Sequence, residues 1–381
     1  MILYIDVHSH ASMHVPFNAG MVLSYLAAHE GQSIVVAADA GQCESLKQAI
    51  GPHDRVHYAP IPLSSVIRTP RSYFPLSSLR AAKACWRSIA SVLEQYPGIT
   101  RGVISGVDQG LLADIPKSWA KHTGLPMHYL HHNQLGTAMQ WRSRNPYYRA
   151  FDFISRFSKP LPPRQTHIML EIGMRDEVRK EVPQLKDCIG EIEHPILESE
   201  WSGSLDTPMN DPLNIGICGH CGRGKGFDRF VNLANQIPQS QLRFHAVGRQ
   251  NPELADLDVS KLVRKPHPDG LDRETFLEAM AQLDLVSLFV PHTMRFVSSG
   301  SLQDALAALK PVIIPQNPMV RAITKRYGAF GPVVETVEEA DKAIRQMSAK
   351  TVAPHYDDWR GVVAAIRLGR TPARIGQTLP D

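Results

Sequence analysis

The densest concentration of chemically competent residues is the turn Gly216-Ile-Cys-Gly-His-Cys-Gly-Arg-Gly-Lys-Gly226. Glycines let a backbone approach an anion closely. A helix starting just afterwards points free N–H groups and its positive dipole end at the same anion. Arg223 and Lys225 add formal charge, so the turn, Gly222 included, reads as a diphosphate cradle. Two other chemistries compete for it. Gly219-x-x-x-x-Gly224-Lys225 nearly spells a P-loop, but Gly226 stands where Ser or Thr would hold Mg²⁺. Cys218-Gly-His-Cys221 has the spacing of thiol–disulfide exchange, and a helix start there would lower the Cys218 pKa. A thiol–disulfide oxidoreductase using Cys218 and Cys221 therefore stands as an alternative activity.

Histidine gathers in the first third of the chain. His8, His10 and His14 follow the first apolar run, and His128, His131 and His132 fall in a later one. Three histidines near one loop suit zinc, yet no H-E-x-x-H or H-x-x-E-H pattern accompanies them, and no metal is expected. The five cysteines (Cys43, Cys85, Cys188, Cys218, Cys221) are odd in number and lack a disulfide rhythm. That fits a reducing compartment.

The elements that must position these residues alternate between short apolar runs and amphipathic stretches. Strands are predicted at Ile2–Val7, Ser33–Ala38, Val56–Pro60, Gly102–Val107, Pro126–His131 and His167–Glu171. Between and after them, helices are predicted at Asn18–His29, Ser77–Gln95, Leu111–His122, Pro146–Arg156 and Asp176–Leu185. Continuously apolar strands belong to parallel sheets covered on both faces. A Pro/Ser/Asp-rich linker, residues 196–212, separates this first domain (1–195) from a second βα series over 213–350. Its strands are predicted at Leu213–Cys218, Gln241–Val247, Leu285–Val290 and Pro311–Pro315. Its helices are predicted at Gly226–Gln236, Arg273–Gln282, Ser301–Leu309, Met319–Tyr327 and Val337–Met347. The remainder, 351–381, holds an amphipathic segment, His355–Leu368, suited to crossing back to the first domain. Two Rossmann-like α/β domains facing a central cleft is the expected architecture.

The block from Phe296 to Pro315 (FVSSGSLQDALAALKPVIIP) resembles the nucleotide-sugar signature of GT-B glycosyltransferases. The group it is closest to is the GT4-like family that includes sucrose- and mannosyl-transferring enzymes. A small-residue loop opens a helix, an acidic residue follows on it, and a Pro-Val-Ile strand comes next. The resemblance runs from Leu213 to about Ser348 and takes in the turn at 222–226 and Val247-Gly-Arg249.

It implies transfer of a sugar from a GDP- or UDP-sugar to a hydroxyl of a glycan or lipid-linked saccharide, in polysaccharide or glycolipid assembly. No cofactor is implied beyond the donor itself. Lys225, Arg223 and Arg249 would neutralise the departing diphosphate, which is electrostatic work. Ser298, Ser299, Gly300 and Ser301 would donate to the phosphates, Asp304 would accept from the ribose hydroxyls, and His267 would lie near the base. The family's usual glutamate eight positions before the ribose acid is Phe296 here, which leaves the stereochemistry open. Inversion needs a base near the acceptor hydroxyl. His14, Asp108 and His132, at carboxyl ends of first-domain strands, are the candidates. A non-catalytic sugar-nucleotide binding protein is the other alternative.

The 381 residues carry 41 Lys/Arg against 37 Asp/Glu, too small an excess to indicate nucleic acid. No run of about 18 apolar residues suits a membrane span, and the start lacks a secretory pattern. A cytoplasmic protein is expected. The basic amphipathic stretch Ser77–Gln95, with Arg80, Lys83, Trp86 and Arg87, suits peripheral attachment to the inner face of the plasma membrane.

Overall fold

Runs of Ile, Val, Leu and Ala without polar alternation need cover on both faces, and the strands receive it. The computed structural model describes residues 1–11, 13–62, 75–131, 135, 144–289, 296 and 298–380. They group into two units. One is Met1–Pro195 with Phe296–Ser298 and Thr371–Asp381; the other is Ile196–Arg295 with Ser299–Arg370.

The first unit begins β1 (Ile2–Asp6), α1 (Val15–Ala28), β2 (Ile34–Ala38), α2 (Ala40–Ile50), β3 (Val56–Pro60) and α3 (Pro75–Gln95). It continues β4 (Arg101–Ser105), α4 (Gln109–His122), β5 (Met127–His131), α5 (Pro146–Arg149) and α6 (Phe153–Phe157). Then come β6 (Gln165–Leu170), α7 (Met174–Glu181) and β7 (Ile189–Ile192). Among the described residues the sheet order is β3-β2-β1-β4-β5-β6-β7, all parallel. Winding reverses between β1 and β4, so the loops after these two strands open at a crevice, the usual ligand position in such sheets. A buried network fixes the end of β1. Asn18 Nδ2 donates to Asp6 Oδ2 at 2.5 Å, while Tyr4 and Ser105 hydroxyls each donate to Asn18 Oδ1 at 2.8 Å.

Several predicted elements shift. Helix α1 starts at Val15 rather than Asn18, since Pro16 suits a first turn and Phe17 is buried. α2 was not predicted, because it buries only Gln42, Cys43 and Leu46; the Asp39 side chain starts it by accepting from Gly41 N at 3.1 Å. The predicted helix 146–156 breaks in two where Asp152 caps α6 through Ser155 N, 2.8 Å. β7 also escaped the pattern, being four residues long with Gly190 inside. Helix α3 turns Ala82, Cys85, Ile89 and Val92 inward and leaves Arg80, Lys83 and Arg87 exposed.

Two of the imidazoles buried in this unit touch each other. His131 Nε2 and His167 Nδ1 are 2.8 Å apart, against the rings of Phe153 and Phe157. Burial lowers both pKa values, that of His167 to about 3. The unfolded chain takes up protons near pH 6.5 while the folded imidazoles stay neutral. Stability is therefore full above about 6.5 and falls as the pH drops from there toward 3. Each histidine contributes a slope of about 1.4 kcal/mol per pH unit. Denaturant titrations from pH 7.5 to 4.5 should show this decline, and a His131→Leu/His167→Leu double variant should flatten it even if less stable at neutrality. An unchanged slope would remove the pair as its cause.

The second unit comprises β8 (Leu213–Cys221), α8 (Phe227–Gln236), β9 (Leu242–Gln250), α9 (Arg273–Ala281), β10 (Leu285–Ser287) and α10 (Gly300–Ala307). It continues β11 (Val312–Pro315), α11 (Pro318–Tyr327), β12 (Val333–Val334), α12 (Val337–Gln346) and α13 (Ala349–Gly369). The order β12-β11-β10-β8-β9 reverses between β8 and β10. β8 runs three residues further than predicted, paired with β9 from Leu213↔Leu242 to Cys221↔Gln250. Phe230 and Phe244 meet edge-on in the core, centroids 5.2 Å apart. Residues 196–212 are strapped to this unit by α13. Arg360 donates to the carbonyls of Thr207, at 3.0 Å, and Ser204, and Arg367 lies over the Trp201 ring at 4.3 Å. The chain ends in the first unit with α14 (Pro372–Gly376), where a side chain at Gly376 would strike the Ser24 carbonyl of α1 at 2.7 Å. Among the described residues no helix is long and apolar enough to cross a membrane.

Candidate functional site

In the second unit the segments following β8 and β10, on either side of the winding reversal, meet. Lys225 sits in a short 3-10 turn, Arg223–Lys225, and donates from Nζ to Ser301 Oγ at 2.5 Å. Ser301 Oγ donates in turn to the Cys218 carbonyl at 2.7 Å. Gly219 permits this approach: at φ 81°, a Cβ there would lie 2.9 Å from Ser301 Oγ and 3.0 Å from Lys225 Nζ. Asp304 follows one turn after Ser301 on the same face of α10. Its Oδ1 accepts from both terminal nitrogens of Arg273, at 3.2 and 3.3 Å. Among the described residues no side chain caps α8 at Gly226 or α10 at Ser299, which leaves both helix starts with their positive dipole ends open to an anion.

The electrostatics agree with an anion site. Crowding lowers the pKa of His220, and the positive charges of Lys225 and Arg249 push it the same way. Burial raises the Asp304 pKa, opposed by Arg273 and then Lys225, so one lysine acts on both the turn and the carboxylate. Arg249 is exposed at the end of β9, with Nε donating to the Pro268 carbonyl at 3.2 Å. It forms a parallel bridge with His267, whose Nδ1 accepts from Asp269 N at 3.2 Å in an exposed turn. Gly222 caps the 3-10 turn, and Arg223 is exposed, 3.4 Å from Asp228. Ser298 falls in the first unit, its hydroxyl donating to Glu171 Oε1 at 3.3 Å.

The thiol–disulfide alternative fails on position and on charge. Cys218 and Cys221 lie within β8 rather than at a helix start, and all five cysteines are free. Burial pushes both thiols up to about 12, the opposite of an activated thiolate.

The first unit places ionisable groups at its own winding reversal. Asp108 caps α4, its Oδ1 accepting from Leu111 N at 2.8 Å. Asp108 Oδ2 and His8 Nε2 are both buried with no hydrogen-bond partner among the described residues. Burial raises the Asp108 pKa, and a charge on His8 counteracts that, so the two groups sense each other. The His8 ring packs where Gly106, at φ 70°, has no side chain: a Cβ would stand 3.1 Å from it. Asp6 Oδ1 holds the loop by accepting from the N–H groups of His8, 2.9 Å, and Ser9, 3.0 Å. His14 is the left-handed residue before α1, φ 54°. Crowding lowers its pKa, Asp6 opposes, and His8 adds to the lowering.

Neither a protein-family model nor a curated protein matches the sequence. Solved structures do. HepE from Anabaena, in complex with UDP and glucose, superposes with a TM-score of 0.62 at 13% identity, over 99% of this chain and 97% of that one. A glycosyltransferase from Rickettsia africae gives 0.65 at 12% identity, over 98% and 95%. The UDP-GlcNAc 2-epimerase of Neisseria meningitidis gives 0.53 at 15%, over 99% and 96%. The fold is GT-B.

Of the residues the sequence pointed to, the GT-B second unit brings Lys225, Ser301 and Asp304 together and sets Arg249 and His267 beside each other on the next strand's edge. His132 lies outside the described residues. Sequence reasoning missed His8, Arg273, Glu200 and His220. His8 carried a signal, standing two residues after the strand that ends in Asp6, but among three histidines within seven residues nothing in the spacing singles it out over His10 or His14. Among the described residues no group of three or more His, Cys, Asp or Glu is placed to hold a metal ion. Arg273 and Glu200 carried no motif, since their partner is remote in sequence.

Proposed function

We propose that this protein transfers a sugar from a nucleoside-diphosphate sugar to a hydroxyl of a glycan or lipid-linked saccharide. A fold that also serves an epimerase does not select the reaction, so the reading rests on the site. The observation that carries it is the row Lys225–Ser301–Asp304 at the winding reversal of the second sheet. It offers a cation and two uncapped helix starts to a diphosphate, with a carboxylate one turn away for a pentose diol. That two of these fold neighbours were solved with UDP or a UDP-sugar supports it.

On the acceptor side, His8 is the proposed base. Its imidazole takes the proton of the attacking hydroxyl while the sugar bond to the diphosphate breaks, and Asp108 steadies the imidazolium formed. This assigns inversion, with His14 and Asp108 near the base rather than acting as it. Isothermal titration with UDP and GDP tests the donor half, and absence of binding to both would defeat it.

Attachment to an anionic membrane belongs to the same proposal. It would use the exposed Arg80, Lys83 and Arg87 of α3 together with the exposed Leu76 at its start. Vesicles containing phosphatidylglycerol should retain the protein at low salt and release it at high salt. Indifference to them at low salt would rule this attachment out.

A further inference from the structure

The carboxylate assigned to the pentose is held by a second ion pair that the nucleotide reading does not use. Arg273 opens α9, where the Asp272 side chain fixes the turn by accepting from Thr275 N at 2.9 Å and from its hydroxyl at 2.7 Å. Its guanidinium lies 4.9 Å from the Phe276 ring centroid. Both terminal nitrogens of Arg273 converge on one oxygen, Asp304 Oδ1, and one of them also meets Glu200 Oε2. Glu200 ends the short 3-10 turn Glu198–Glu200, in the stretch that the sequence presents as a mere linker. Its side chain is 13% exposed, against 24% for Asp304. Two carboxylates share one guanidinium, so the trio keeps one net negative charge. Among the described residues Asp304 Oδ2 takes no hydrogen bond, since both Arg273 contacts go to Oδ1.

We infer that Arg273, braced by Glu200, is a positioning residue that fixes Asp304 so that its second oxygen grips a ribose hydroxyl. The inference rests on the proposed donor site and deepens it into discrimination between ribose and deoxyribose. A planar guanidinium clamping one oxygen leaves a carboxylate little freedom to rotate. An unclamped aspartate would collapse onto solvent or onto Lys225, whose field already reaches it.

The test compares UDP with 2′-deoxy-UDP, and GDP with 2′-deoxy-GDP, by isothermal titration. A hydrogen bond to a charged group supports about a tenfold preference of wild type for the ribonucleotide. Arg273→Met should collapse that ratio toward one while binding of the deoxy form changes less than about threefold, because the phosphate grip stays. Glu200→Gln, which keeps shape and bulk, should lower the ratio about threefold and carries the test if the first variant misfolds. An unchanged ratio in the folded variants overturns the inference, as does tighter ribonucleotide binding by Arg273→Met, which would mean that Arg273 competes with the pentose. Wild type binding nucleotides with no ribose preference also overturns it but spares the phosphate site. Wild type binding none of the four defeats the donor reading itself.

Discussion

Lys225→Ala weakens binding of UDP or GDP by about 100-fold and leaves the fold standing, on the order of 2–3 kcal/mol for a lost charge-assisted contact. The magnitude follows from where the ammonium sits. It is half-buried, 2.5 Å from Ser301 Oγ, and close enough to His220 and Asp304 to influence both. Screening by solvent there is weaker than at an exposed lysine. Stability should hardly change, since Ser301 Oγ keeps its bond to the Cys218 carbonyl, 2.7 Å, after the lysine goes. Arg223→Ala is the internal comparison. That guanidinium is 69% exposed and 3.4 Å from Asp228, so its removal should cost less than about fivefold. Titration of both variants alongside thermal melts decides the matter. Equal, small losses in the two would show that the turn does not grip phosphate, and the glycine-rich loop would then be only a tight connection.

What the sequence disclosed, and what it withheld, divides by the range of the interaction. Lys225 and its glycines were readable because a strand, a turn and a helix start within eleven residues specify one another locally. Asp304 came from the resemblance of the 296–315 block to a family signature, and its position one turn after Ser301 on α10 is then a local matter of helix period. The parallel order of both sheets follows from uninterrupted strands such as Ile2–Asp6, all buried. α2 and β7 were lost because neither carries a long apolar period: α2 buries few residues, and β7 is short and interrupted by glycine. The Glu200–Arg273–Asp304 trio was invisible because its members come from three segments joined only by the fold. Cys218 and Cys221 misled for the opposite reason. Their spacing is local, but whether a thiol is activated depends on burial, which no spacing reveals. The prominence of a motif thus measured proximity along the chain, and the residues that position others had to come from packing.

His8→Ala should lower turnover by about 10²–10³ while donor affinity stays within twofold, the loss typical of removing a positioned base. The measurement is release of UDP from UDP-glucose, or of GDP from GDP-mannose, with water or an added glycan taking the sugar. Three observations place the effect at this residue rather than at its neighbours. The buried Nε2 of His8 lacks a partner among the described residues, the nearby Asp108 keeps one buried oxygen without a partner, and Asp6 fixes the backbone beneath the ring. Asp108→Asn should cost about tenfold to a hundredfold, because an amide cannot balance the imidazolium, yet it can still cap α4 by accepting from Leu111 N. The two losses should fall short of adding in the double variant, since they remove one device. His14→Ala, ahead of α1 and exposed, should cost less than about fivefold on this view. If His14→Ala instead erased turnover while His8→Ala retained it, the proton would leave through the loop before α1. Asp108 would then serve only to start α4.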